Sequence, residues 1–453
     1  MSKTYAIDMC EGSILPKMLR FALPLMCSSI LQLLFNAADV VVVGRFCGDN
    51  SMAAVGSTTP IINLMTNLFM GLSIGANVLV AKYYGAKEEK KVHEAVHTAV
   101  ALSILSGFVL TVIGLIFTKQ ILMWMNTPED VFPLASKYLK IYFLGIVSVM
   151  LYNFCNSILR AVGDTKRPLY YLMFAGIINV VLNLFFVIVC KLDVAGVALA
   201  TIISQCVSAF LIIRCLCREQ AMYQLFLGKI KFYGHALKRI LHIGIPSGIY
   251  GTVFSLSNVV IQSSVNSFGA TVMAGNAAAM NIEGFVYMAM NAFHQTAISF
   301  VSQNYGAGKI KRIWKIAILS QLCVIVTGLV LGQLTVLFGS SLLGIYSSKN
   351  FVIEAGLVRL KYICGPYFLC GMMDVMVGIL RGLGRSVIPT IVSMIGACGL
   401  RLVWIFTIFA EEKYHTTRML YLSYPLSWGI TTLAHDICFL IVWRGIKRGH
   451  ATE

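Results

Sequence analysis

The chain has 453 residues, of which 58% are hydrophobic and 12% charged, with a mean hydropathy of +0.80. A soluble domain carries about 25% charged residues, so this composition excludes a water-covered surface and makes lipid the solvent. The net charge of +17 does not mark a nucleic-acid binder, because Lys and Arg sit in short loops between apolar spans with no basic stripe interleaved with aromatics.

A helix crossing a bilayer core needs about 20 predominantly apolar residues. In chain order such spans fall at 16–44, 52–81, 93–122, 132–160, 166–190 and 194–217. A basic, partly amphipathic connector follows at 218–238. Six more spans fall at 240–267, 275–303, 313–340, 352–380, 386–410 and 422–444. The expected fold class is an all-α polytopic membrane protein of about twelve transmembrane helices. The expected organisation is a six-helix lobe at 1–217, the connector at 218–238 and a second six-helix lobe at 239–453. The first dozen residues lack an apolar stretch ending in a small-residue cleavage site, so the first span is expected to act as the insertion signal. Most of the 13 cysteines, Cys27, Cys206, Cys364 and Cys398 among them, lie inside apolar spans, where Cys behaves as a small hydrophobe. No disulfide framework is implied.

Placing the N-terminus in the cytoplasm puts roughly 25 Lys and Arg inside and roughly 10 outside. The inner loops are basic one after another: Lys82, Lys87, Lys90 and Lys91; Lys166 and Arg167; Lys229, Lys231, Lys238 and Arg239; Lys309, Lys311 and Arg312; Arg444, Lys447 and Arg448. A multi-pass inner-membrane protein with both termini cytoplasmic is expected.

Polar groups inside these spans need a reason, because a charge at the bilayer centre costs about 2.5–3.5 kcal/mol or more. In span one, Gln32, Asn36 and Asp39 share a helix face. Span five adds Asn179 and Asn183, one turn apart, and span six adds Thr201. One carboxylate with several neutral oxygens suits a proton or a small hard cation such as sodium. A carboxylate able to hold either is suited to exchanging one ligand for another; the alternative is a packing role. Span seven keeps a polar stripe of Ser255, Asn258, Gln262 and Asn266 but no acid. The second half places its charges elsewhere, with Glu283 in span eight, Asp374 in span ten and Arg401 in span eleven. Arg401 is expected to pair with Glu283 or Asp374, and this set either contacts a cationic substrate or locks the C-terminal bundle as a neutralised pair.

One motif points to other chemistry. His93-Glu94-Ala95-Val96-His97, at the start of span three, fits the zinc-protease pattern H-E-x-x-H. A catalytic zinc needs a third protein ligand, and no companion motif supplies one. No phosphate-cradling loop is present, so direct drive by ATP is not indicated.

The two halves repeat. Leu159-Arg160-Ala161-Val162-Gly163 before Pro168 recurs as Leu380-Arg381-Gly382-Leu383-Gly384 before Pro389, about 221 residues on. Tyr84-Gly85-Ala86 recurs as Tyr305-Gly306-Ala307 at the same spacing. Pro24, Asn36 and Phe46 recur as Pro246, Asn258 and Phe268, one residue further apart. Six spans per copy make this a parallel repeat, with a site expected where the copies meet and rocking motion giving alternating access.

In the order and spacing of these features the chain resembles the multidrug and toxic compound extrusion (MATE) family over essentially its whole length. The residues that carry the resemblance are Pro24, the Asp39-Val-Val-Val-Val-Gly44-Arg45 end of span one, the Val301-Ser-Gln-Asn-Tyr-Gly-Ala-Gly308 loop and the two Leu-Arg-x-x-Gly turns. The pattern is closer to the DinF-like or MepA-like bacterial branch than to the NorM branch. The resemblance implies secondary efflux of cationic, often aromatic, compounds driven by sodium or proton entry, without a cofactor or enzymatic step. Asp39, Asn179 and Thr201 match the family's N-lobe cation site. Asn183 stands where many members carry an Asp, which removes a second carboxylate from the relay. Ser255 stands where some members carry a Glu, and Asp374 lies in the helix where that branch places an Asp. A monomer is expected. The competing reading within the superfamily is a flippase for lipid-linked precursors, which would want a basic cavity for an anionic headgroup.

Overall fold

A computed structural model describes residues 5–125 and 127–451, and its regular elements are all helical among those residues. In chain order they are α1 (Ile14–Phe46), α2 (Asp49–Gly85), α3 (Glu89–Trp124), α4 (Phe132–Leu144), α5 (Ile146–Ala161), α6 (Lys166–Leu184) and α7 (Val194–Arg218). Then come α8 (Gly234–Asn266), α9 (Ala270–Gly306), α10 (Ile310–Leu337), α11 (Gly339–Gly344), α12 (Asn350–Ile363), α13 (Phe368–Gly382), α14 (Val387–Ser393), α15 (Leu400–Phe406) and α16 (Thr417–Ala451). With no water in the hydrocarbon to satisfy backbone N–H and C=O groups, a helix that closes its own bonds is the natural spanning element. Among the described residues, nine helices are long and apolar enough to span alone or as continuous rods, and eleven when each of two bent pairs is taken as one span. The 37-residue α9 falls outside that set, because Asn276, Asn281, Glu283, Asn291 and His294 interrupt its apolar run. Counted with the others it makes twelve.

The repeat is visible in the backbone. α4 and α5 meet at Gly145 with a bend of 49°, and α12 and α13 meet around Pro366 with a bend of 48°. α6 ends in a π-turn at Phe185–Val189, and another, Met394–Gly399, joins α14 to α15. Gly163 and Gly384, which close the two Leu-Arg-x-x-Gly turns, have φ of 98° and 79°, a region that strains any side chain with a Cβ.

The chain divides into two compact units. The first holds residues up to Asp8 and Cys27–Gly248. One core cluster joins Leu79, Val96, Phe154, Ile158 and Ile212, and a second joins Val43, Val55, Leu139, Phe143 and Val197. Here α2 meets the start of α8 through two facing Gly-x-x-x-Gly stripes. A Cβ on Gly71 would stand 2.2 Å from the Gly248 nitrogen, and one on Gly75 would stand 2.4 Å from the Ile240 carbonyl. Small residues are what let helices approach this closely in lipid. The connector is fixed to α3 and α6 rather than loose. The Phe226 N–H donates to His97 Nε2 (3.0 Å), the Tyr233 N–H to Thr98 Oγ1 (3.1 Å), and Arg167 bridges Asp164 and Glu219.

The second unit holds Met9–Met26 and the residues from Ile249 on. Phe21 and Phe300 pack edge to face at 5.7 Å in its interior. The Asn304 side chain donates to the Met9 carbonyl (3.0 Å), tying the segment before α1 to α9. In both units large apolar side chains face outward, Val41, Phe108, Ile116, Val326 and Leu433 among them, as a lipid-facing surface requires.

Candidate functional site

The first unit brings four of the expected residues together. Asp39 lies near the C-terminal end of α1, Asn179 and Asn183 are one turn apart on α6, and Thr201 is in the second turn of α7. Asp39 is 8% exposed, Asn179 5% and Asn183 fully buried. The Asn183 amide donates to Asp39 Oδ1 and lies 3.3 Å from Asn179 Oδ1. Thr201 Oγ1 lies 3.4 Å from Asp39 Oδ2 and 3.0 Å from the Val197 carbonyl, which compete for its single proton. The Asn179 amide reaches the same hydroxyl at 3.4 Å. Asp39, Asn36, Asn179 and Thr201 line one cavity of about 280 Å³. Asn183 Oδ1 is buried with no hydrogen-bond donor among the described residues. A buried acceptor without a donor is costly, and here it stands beside a carboxylate. A carboxylate, two amide oxygens and a hydroxyl make a hard oxygen set suited to a small cation.

The second unit pairs its charges differently from the expectation. Glu283 is held by Arg359 of α12, with Nη2 to Oε1 at 2.6 Å and Nε to Oε2 at 3.1 Å. The third corner of Arg359 donates to Asn276 Oδ1 at 2.8 Å, an oxygen that also accepts from the Tyr421 hydroxyl at 3.1 Å. Asn276 in turn donates to Gln262 Oε1, and Gln262 to Asn266 Oδ1, each at 2.9 Å. Asp374 Oδ1 accepts from the Tyr250 hydroxyl at 3.3 Å, and its backbone carbonyl lies 2.5 Å from His294 Nδ1.

Arg401 therefore pairs with neither Glu283 nor Asp374. Its Nε donates to Ser427 Oγ at 2.9 Å, and its guanidinium packs on the Tyr424 ring at 4.3 Å. Arg359 took the place expected of Arg401 because α12 runs against α9 and brings the guanidinium straight onto Glu283. The expectation overlooked Arg359, which stands with Glu354 and Lys361 near the start of its span and reads in sequence as part of a polar helix end. Asn258, Gln262, Glu283 and Arg359 line a cavity of about 240 Å³, walled by Tyr287, Tyr367, Tyr424 and Trp428.

The H-E-x-x-H motif does not form a metal site. The His93 and His97 rings stack face to face, 3.9 Å between centroids, instead of converging. His97 Nδ1 faces the His93 carbonyl at 2.7 Å while Nε2 accepts from Phe226, so neither nitrogen is free to ligate. The motif serves to anchor the connector.

A sequence model described as MatE matches residues 24–185 and again 246–407. The chain is 27% identical over 442 residues to "Probable multidrug resistance protein YoeA" of Bacillus subtilis, covering 96% of this chain and 95% of that one. It is 29% identical over 406 residues to "Probable multidrug resistance protein YpnP" of the same organism, covering 87% and 88%. Its fold is similar to a structure described as an outward-facing conformation of a multidrug resistance MATE family transporter of the MOP superfamily. That likeness has a TM-score of 0.91 and 19% identity, covering 99% of this chain and all of the other. Two tandem matches over two similar helical halves settle the classification: the chain belongs to the MatE family, that of the multidrug and toxic compound extrusion transporters, and is a multi-pass membrane protein.

Proposed function

We propose that the chain is a cation-coupled antiporter that exports small aromatic compounds, cationic ones among them, across a bacterial cell membrane by alternating access. It works as a monomer with both termini in the cytoplasm. The observation that carries this reading is the Asp39 cluster, a buried carboxylate joined to Asn183 and Thr201 at the wall of a polar cavity. A carboxylate kept at this depth costs stability, and reversible occupation by a cation gives that cost a use. Sodium is favoured over a proton. The cluster gathers a carboxylate, amide oxygens and a hydroxyl, the hard oxygen set that a small cation takes. The names of the relatives support multidrug export; flipping of lipid-linked precursors gains nothing from them.

The test is transport in proteoliposomes. Asp39→Asn should abolish gradient-driven export of an aromatic cation such as ethidium while leaving folded yield intact. Undiminished export by that variant would sink the assignment.

A further inference from the structure

The cavity of the second unit is the repeat counterpart of the Asp39 cavity. At the spacings that relate the two halves, Asn36 corresponds to Asn258, Thr66 to Tyr287 and Val149 to Cys370, and every one of these lines its own cavity. The two family matches begin at 24 and 246 and end at 185 and 407. Residue 179 therefore falls on 401, the extra residue being absorbed by the π-turn at Met394–Gly399. Two substitutions follow from that register. Asp39, the acid of the first cavity, corresponds to Ile261, which lines the second. Asn179, which faces Thr201 in the first, corresponds to Arg401.

Arg401 is fully buried, and its Nη1 and Nη2 have no hydrogen-bond partner among the described residues. Arg401 does not itself line the cavity; it lies directly behind three rings that do, Tyr424 at 4.3 Å, Trp428 at 5.4 Å and Phe254 at 5.7 Å. Glu283 is held by Arg359, and Asp374 accepts from the Tyr250 hydroxyl without a direct hydrogen bond to Arg401. Arg359, Arg381 and Arg401 are 3%, 2% and 0% exposed. Of the three, Arg359 alone holds a carboxylate in an ion pair among the described residues. A buried cation with open N–H groups calls for an anion.

We propose that the second-unit cavity binds the carboxylate of an aromatic ligand, with Arg401, behind the Tyr424 and Trp428 rings, as its anion partner once those rings shift, and the rings as its stacking walls. The repeat has inverted the charge of its site: the first copy takes a cation at Asp39 and the second an anion at Arg401. This rests on the export reading in making the bound molecule cargo, and it extends the cargo to aromatic acids and zwitterions.

The experiment compares two probes that differ in charge, 1-naphthoate and 1-naphthylmethylammonium. Binding to the full chain in lipid nanodiscs is measured by titration calorimetry. The wild type should bind naphthoate at least about tenfold more tightly than the ammonium, and Arg401→Gln should weaken naphthoate on the order of tenfold to a hundredfold. Arg401→Gln could disturb folding, so Ile261→Asp provides a second arm that keeps the arginine. A carboxylate restored at the position of Asp39 should neutralise the site, weaken naphthoate and strengthen the ammonium. Equal affinity for both probes in the wild type, or naphthoate binding indifferent to both substitutions, overturns the proposal. Naphthoate binding that depends on Arg401, in a protein that exports nothing from proteoliposomes, upholds the anion site and removes the export reading alone.

Discussion

Arg359 grips Glu283 with two parallel hydrogen bonds, Nη2 to Oε1 at 2.6 Å and Nε to Oε2 at 3.1 Å, while its remaining corner reaches Asn276. The pair is nearly dry, with side-chain exposures of 3% and 13%. Breaking such a pair leaves one uncompensated charge and costs about 3–5 kcal/mol, whereas replacing both partners by apolar groups is often neutral. Glu283→Gln should therefore lower the unfolding temperature in detergent more than the double variant Glu283→Leu with Arg359→Met. A double variant less stable than the single would show that the pair supplies net stability and is not merely balanced.

The glycine stripes of α2 and α8 give a sharper packing test. Gly75→Val must push its side chain into the Ile240 carbonyl and the Gly244 backbone, neither of which can swing aside. Overpacking against backbone should cost about 1–3 kcal/mol. Gly56, on the same helix, has nothing within 4 Å of its missing Cβ among the described residues, so Gly56→Ala should be neutral or gain a few tenths of a kcal/mol. The readout is the monodisperse fraction after size exclusion and its melting temperature. Equal behaviour of the two variants would refute the close approach.

Much of this architecture was legible in the amino-acid order. Lipid imposes apolar runs of fixed length, and those runs, with the repeated Pro24/Pro246 and Leu-Arg-x-x-Gly signatures, locate the helices and pair the halves. The Asp39 cluster was legible for the same reason, since Asp39, Asn183 and Thr201 stand alone in apolar surroundings. Partner choice was not. Arg401, Glu283 and Asp374 each stood out, but which charge meets which depends on helix rotation and on the bend at Pro366. Arg359 was hidden because a charge near a helix end has an ordinary explanation in snorkelling to the interface. The Gly-x-x-x-Gly contact was equally silent, because in a chain with 38 glycines only the facing stripe on another helix gives a pair meaning.

Orientation can be read with cysteines. Cys190 is exposed just beyond the π-turn that ends α6, and Cys10 is half-buried before α1. With the termini inside, a membrane-impermeant maleimide on intact cells should label a variant keeping Cys190 alone, and a variant keeping Cys10 alone only after permeabilisation. The reverse pattern would invert the topology. Cys47, in the turn after α1, offers a pH dependence. Burial, and then the neighbouring Asp193 carboxylate, push its thiol up to about 11. The reactive thiolate is then scarce at pH 7, so labelling of Cys47 should be slow and climb steadily as pH rises toward that value. Asp193→Asn removes a negative neighbour, lowers the thiol toward its ordinary value and should speed labelling at fixed pH. An unchanged rate would remove Asp193 as a cause.

The choice of coupling ion follows from the oxygen set around Asp39. A ligand that binds only the folded state stabilises it by about 2.7 kcal/mol at a hundredfold excess over its dissociation constant. Sodium chloride should therefore raise the melting temperature above that in choline chloride at equal ionic strength, where screening is matched. Asp39→Asn should erase the difference, because it removes the charge that balances the cation. Asn183→Leu keeps the carboxylate but removes both the amide donor to Asp39 and the unpartnered oxygen, so it should shrink the sodium shift without erasing it. The ranking of wild type, Asn183→Leu and Asp39→Asn separates a cation site from a lone titrating acid. A proton site would respond to pH in the wild type, ignore sodium in all three proteins, and leave export driven by a pH gradient alone.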